Sequence, residues 1–134
     1  MKGQTTLEFV LLFTVVMLAT LGTLYFAVQK MVQVQDDRLQ RNAEAINNIF
    51  STEVRLAERA EGNYTREFGL PVLVDGKNYS VRVFDGYELS ILYDDREYVF
   101  PLDSELAYVK VEPGENRIYK TNGTVYIGDR GEQE

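Results

Sequence analysis

The stretch FVLLFTVVMLATLGTLYFAV, residues 9–28, decides how the rest of the chain is read. Only Thr14, Thr20, Gly22 and Thr23 in it are not apolar, and nothing from Phe9 to Gln29 carries a charge. Twenty residues at about 1.5 Å per residue span the roughly 30 Å hydrocarbon core of a bilayer, so the segment reads as a membrane-length helix. Lys2 stands before it and the long remainder after it, which by the positive-inside tendency puts the N-terminus in the cytoplasm and the body outside. A cleaved secretory signal is the rival reading. Such signals have apolar cores of about 7–15 residues and a small-residue cleavage site behind them. Here the run is longer and is followed by Gln29-Lys30-Met31-Val32-Gln33, so the segment is expected to stay in the mature protein.

Downstream the helix continues and becomes amphipathic. Val28, Val32, Leu39, Ala43, Ile46, Phe50, Val54 and Ala57 recur at steps of three, four or seven, the period of one helix face. No Pro or Gly interrupts Met31 to Glu61, and Gly62-Asn63 supplies a stop. One helix from Thr5 to Ala60 is therefore expected, with Gly22 as the place for a bend and Thr5-x-x-Glu8 as a capping box at its start. The residues that follow are too few to cover so long a helix, and its apolar half must find membrane or other subunits.

From Gly69 the period changes to two. Val72/Val74, Tyr79/Val81/Val83, Leu89/Ile91/Tyr93, Tyr98/Phe100/Leu102, Ala107/Val109/Val111, Arg117/Tyr119 and Val125/Ile127 predict seven short strands. Turn chemistry separates them, for example Asp75-Gly76, Asp85-Gly86, Asp94-Asp95, Pro113-Gly114-Glu115-Asn116 and Asn122-Gly123. The expected fold is α+β: a long N-terminal helix, apolar in its first half and amphipathic in its second, packed on a small antiparallel β-sandwich or barrel-like domain. Phe50, Val54 and Ala57 are the helix residues expected to complete the core of that small domain.

Composition removes much chemistry. The chain has no His and no Cys, which excludes Ser-His-Asp and Cys-His nucleophiles, a His general base and the usual zinc or iron-sulfur ligands. No disulfide staples it. Fourteen basic against 21 acidic side chains give a net charge of -7, with scattered bases, which argues against nucleic acid as a partner. Asp36-Asp37 and Asp94-Asp95 with Glu97 lack the ligand spacing of a calcium loop and read as solvated surface. No phosphate loop or paired catalytic carboxylates stand out, so neither an enzyme nor a cofactor is expected.

The first residues, Met1-Lys2-Gly3-Gln4-Thr5-Thr6-Leu7-Glu8-Phe9, abut the apolar run. They resemble the class III signal sequence of archaeal type IV pilins and pilin-like proteins. Gly3-Gln4 matches that family's cleavage junction, Thr6 stands where it usually has Ser, Glu8 is the fifth mature residue, and Leu12 falls on a family Leu position. The resemblance implies a leader over residues 1–3, a helix over 4–61 that spans the membrane in the precursor and forms the filament core after assembly, and an extracellular β domain over 62–134. It implies self-association into a helical filament on the cell surface, with a prepilin peptidase, an assembly ATPase and a membrane platform protein as partners, and lipid around the helix before assembly. It further implies that the Glu8 carboxylate pairs with the α-amino group of Gln4 in a neighbouring subunit, and that the filament serves adhesion or attachment. Rivals are a non-polymerising, single-pass surface binding protein, a minor pilin and an archaellin-like subunit.

Two further features bear on the surface. Asn63-Tyr64-Thr65, Asn78-Tyr79-Ser80 and Asn122-Gly123-Thr124 are N-glycosylation sequons, and the last is also a hairpin turn that needs no sugar. Eight of the nine Tyr lie beyond residue 62, and half-buried strand positions explain them better than an adhesive patch does.

Overall fold

The computed structural model describes residues 1–128. One helix, α1 (Lys2–Arg59), is followed by seven strands: β1 (Tyr64–Leu70), β2 (Tyr79–Phe84), β3 (Glu88–Tyr93), β4 (Arg96–Pro101), β5 (Tyr108–Val109), β6 (Gly114–Thr121) and β7 (Thr124–Ile127). The protein is thus α+β, as its sequence pattern predicts. The helix runs through Gly22 without a break. It stops where Gly62 takes a left-handed φ of 77°. Its last carbonyls would otherwise be orphaned; the Lys120 ammonium donates to those of Glu58 at 2.7 Å and Ala60 at 2.9 Å.

The chain divides into two compact units, Met1–Arg38 and a second from Leu39 onward, so the boundary falls inside α1 and not at its end. Burial explains why. The expected helix stripe begins at Val28, but Val28 and Val32 are exposed, and the stripe is buried only from Leu39 through Ala43, Ile46, Phe50, Val54 and Ala57.

In the second unit the strands form two sheets, one ordered β1-β6-β7-β5 and one ordered β2-β3-β4. All pairings are antiparallel except β5 with β7, which is parallel through Tyr108↔Tyr126 and Val109↔Ile127. Ile46, Phe50 and Val54 of α1 share one apolar cluster with Phe68 of β1, Ile91 of β3, Ile118 of β6 and Ile127 of β7. The Phe50 and Phe68 rings meet edge to face, 6.5 Å apart at 72°. Each such side chain removed from water contributes about 1.5–3 kcal/mol, so the helix face supplies core that the short strands lack.

The strand boundaries correct several expectations. Val72/Val74 is not a strand: Val72 and Leu73 are exposed, and only Val74 bridges to Lys77 around the left-handed pair Asp75-Gly76. The first strand is Tyr64–Leu70, where only Phe68 and Leu70 are buried and a period of two is hard to see. Its register on β6, with Glu67 opposite Arg117 and Leu70 opposite Gly114, also turns the expected Pro113–Asn116 loop into the start of β6. The strand expected over Ala107, Val109 and Val111 shrinks to Tyr108–Val109.

Turn chemistry behaves as expected at the hairpins. Asp94-Asp95 and Asn122-Gly123 each join adjacent strands with both residues at positive φ, the geometry that follows the twist of the strands. Gly86, at φ 74°, is required for a second reason: a Cβ there would stand 2.5 Å from the Leu106 carbonyl oxygen, and Leu106 N–H donates to the Gly86 carbonyl at 3.1 Å.

Candidate functional site

The first unit is helical from Lys2 onward, and every large apolar side chain from Leu7 to Val34 is more than half exposed. The apolar window has a mean hydropathy of 2.2, none of it is buried, and it is long and apolar enough to cross a membrane. Its few polar groups are satisfied locally. The hydroxyls of Thr14, Thr20 and Thr23 donate to the carbonyls of Val10, Val16 and Ala19 at 2.8–2.9 Å, one turn back. Bonded in this way, a threonine presents its methyl outward and leaves no unpaired donor in an apolar medium. Thr20, Gly22 and Thr23 also keep the helix surface low enough for close approach by another helix.

Gly3 and Gln4 lie in the first turn of α1, and Glu8 lies on the same helix, exposed. The capping box expected at Thr5 is absent. Thr5 sits inside the helix and its hydroxyl donates to the Met1 carbonyl at 3.5 Å, while Thr6 donates to the Lys2 carbonyl at 3.0 Å. Met1 to Gln4 supply the preceding turn and shift the helix start to Lys2. Among the described residues no hydrogen bond or ion pair holds Glu8, so its carboxylate faces outward at the border of the uncharged run.

The other candidates sit on the second unit. Asn63, Asn78 and Asn122 are all exposed: Asn63 after the helix, Asn78 before β2, and Asn122 in the β6–β7 turn. Asp36-Asp37 lies on the helix and Asp94-Asp95 in the β3–β4 turn; among the described residues no group of three or more His, Cys, Asp or Glu is placed to hold a metal ion. The Asp94 carboxylate is instead bonded to the Lys77 ammonium at 2.6 Å, and this bond raises the lysine pKa above its usual 10.5. Tyr79, Tyr93 and Tyr119 are buried in the strands and only Tyr87, of those beyond residue 62, is exposed. The Tyr87 hydroxyl donates to Glu105 at 2.9 Å, which pushes its pKa upward. A cleft of about 310 Å³ is lined by the polar side chains of Glu67, Lys110, Glu112, Glu115, Asn116 and Arg117, and its Glu67 carboxylate is held by Arg117 at 2.6 Å.

The sequence did not single out the contacts that anchor the 71–78 loop. Asn42 of the helix donates to Asp75 at 2.7 Å and to the Tyr93 hydroxyl at 3.3 Å, and the Tyr93 hydroxyl donates to the Val74 carbonyl at 3.2 Å. Nor did it single out two outward faces of the second unit, the helix stripe through Ile49 and Leu56 and the sheet face through Leu92 and Val99, all exposed apolar residues. Their signal is present in the sequence as apolar residues out of phase with the core set.

Compared with known protein families, with curated proteins and with solved structures, the chain matches none.

Proposed function

We propose that this chain is a structural subunit of an archaeal type IV pilus-like surface filament, polymerising through its N-terminal helix for adhesion or attachment. The observation that carries this reading is the helix of the first unit, whose uncharged run leaves every large apolar side chain exposed directly beside Glu8 and the Gly3-Gln4 junction. A surface of this kind in water is unfavourable at about 25 cal/mol per Å², so lipid or neighbouring helices must cover it. Passing from lipid to a helix bundle keeps it dry in both states, which lets one segment serve first as anchor and then as filament core.

The junction suits processing. Gly3-Gln4 lies in the first helical turn, where the amides lack intrahelical acceptors and the backbone opens most readily for a membrane peptidase. Removing Met1–Gly3 frees the amino group of Gln4 and takes away the turn onto which Thr5 and Thr6 now bond. The Glu8 carboxylate, costly in an apolar bundle if left alone, then gains the amino group of a neighbouring Gln4 as its partner and sets the axial register. The assembly ATPase and platform protein supply the work of extraction.

The test joins electron microscopy of sheared surface material to mass spectrometry of the subunit. Filaments are expected, with a subunit that begins at Gln4 and is heavier than the bare polypeptide if Asn63, Asn78 or Asn122 carries a glycan. Glu8→Gln is expected to be cleaved normally but to yield no filaments. A chain retained in the membrane and still beginning at Met1, or a Glu8→Gln variant with normal filament yield, would overturn the reading; the first outcome favours a single-pass surface binding protein.

A further inference from the structure

The exposed large apolar side chains of the second unit are not scattered. Val72 and Leu73 belong to the 71–78 loop and Tyr87 to a turn; the remaining five, Ile49, Leu56, Phe84, Leu92 and Val99, fall on two faces. One face is a stripe along the outward side of α1, Arg41, Ala45, Ile49, Thr52, Leu56 and Arg59, at steps of three and four. It holds no acid, in a chain with 21 acidic residues and a net charge of -7. Arg41 and Arg59 form no ion pair among the described residues, while the neighbouring Arg55 bonds Asp103 at 3.3 Å.

The other face is the outer side of β2-β3-β4. Leu89, Ile91 and Tyr93 of β3 are buried, so the alternation of the strand turns Glu88 and Leu92 outward. Register places Glu97 beside Leu92, Phe84 beside Glu88, and Val99 beside Ser90. The face is therefore apolar at Phe84, Leu92 and Val99 and carries two carboxylates, Glu88 and Glu97, against one base, Arg82. Between them a concavity of about 200 Å³ opens over Ser90, whose hydroxyl donates to Glu97 at 2.5 Å.

We infer that these two faces are the two halves of one contact between copies of this chain: the Arg41–Arg59 stripe of one subunit seats on the outer face of β2-β3-β4 of the next. The charges are complementary, basic stripe against acidic sheet, and each face offers apolar side chains that the other can cover. They cannot meet within one molecule, because the buried residues of α1 and of β3 share a single cluster and both faces point away from it. Two different patches joined between copies make a head-to-tail contact, which cannot close as a two-fold dimer and, where the rotation between copies does not close into a ring, repeats as the open helical array that the filament reading requires. The inference rests on the filament reading and adds to it a second set of contacts, outside the apolar helix bundle.

The chain has no cysteine, so introduced thiols are the only ones present. Filaments of Ile49→Cys/Val99→Cys and of Leu56→Cys/Leu92→Cys, treated with a short bismaleimide and run on a denaturing gel, are expected to give a ladder of multimers. Filaments mixed from the single variants are expected to stop at dimers, and each single variant alone to stay monomeric. Cysteine is smaller than the residues it replaces, so loss of filaments from a folded double variant also marks the faces as contacts. Intact filaments without a ladder in either pair, or a single variant that cross-links to itself, would sink the inference and leave the filament reading standing. Absence of filaments from the unsubstituted chain would sink both.

Discussion

Phe13 and Phe50 lie on one helix, yet Phe13 is 59% exposed and Phe50 is fully buried. The same contrast runs through the two units. From Leu7 to Val34 every large apolar side chain is more than half exposed, whereas from Leu39 the helix turns one face into a core with seven strands. Apolar content alone therefore does not separate the units. What separates them is burial within each unit. The second unit buries its apolar side chains in a core of its own, and the first leaves every large one more than half exposed, on a helix long and apolar enough to cross a membrane.

The sharpest way to break this contrast is to truncate both rings. Phe50→Ala removes a fully buried ring that contacts Phe68 and is expected to cost about 3–5 kcal/mol, a large part of the net stability of a domain of this size. Phe13→Ala removes a ring of equal size with no core around it and should leave the unfolding of the second unit where it was. Thermal unfolding of the detergent-solubilised chain, followed by near-UV circular dichroism of the tyrosines, compares the two. Equal shifts from both variants would mean that the units are not independent.

A charge reverses the ranking. Leu18→Arg places a guanidinium in the middle of the uncharged run, at a position 64% exposed in the isolated chain. In a bilayer this costs about 2.5–3.5 kcal/mol at mid-helix. Filament yield should fall sharply and membrane retention measurably, while the tyrosine signal of the second unit melts unchanged. Electron microscopy of sheared material and membrane fractionation, read beside the melt, check it; filament yield and retention both at the unsubstituted level would count against lipid or a helix bundle as the cover of this surface.

What the sequence made legible follows the same division. The helix of the first unit was legible, because an uncharged apolar run needs no distant partner to be read as one; the capping box expected at Thr5, the bend expected at Gly22 and the buried stripe expected from Val28 are not there. The second was readable wherever local chemistry decides structure: the helix stripe from Leu39 and the turns at Asp94-Asp95 and Asn122-Gly123. It failed where a distant partner decides. Arg66 and Glu67 look like loop residues, but in β1 Arg66 lies 3.4 Å from Glu53 of the helix and Glu67 binds Arg117 of β6, and these pairs are invisible to a local pattern. The parallel pairing of β5 with β7 has no local signature at all. Gly3, Gln4 and Glu8 are singled out by a resemblance alone, and the partners proposed for them lie on other molecules.

The smallest expected effect separates two tyrosines by pH. Tyr79 is buried and its hydroxyl donates to the Pro71 carbonyl, whereas Tyr25 on the first unit is 62% exposed. Burial pushes the Tyr79 pKa from 10.0 up to about 12. The unfolded chain ionises near 10 while the folded chain resists, so the stability this tyrosine lends is complete below about pH 10 and is lost as pH climbs through about 12. Tyr79→Phe forfeits the hydrogen bond, worth about 1 kcal/mol near neutral pH, and removes this one contribution to alkaline loss. The gap between the unsubstituted chain and Tyr79→Phe should therefore narrow as unfolding is measured from neutral pH to pH 11, and Tyr25→Phe should leave the second unit's midpoint unchanged at both. A gap that stays constant would show that the Tyr79 hydroxyl is not shielded by the core, and the division between a unit that buries its side chains and one that exposes them would lose its finest marker.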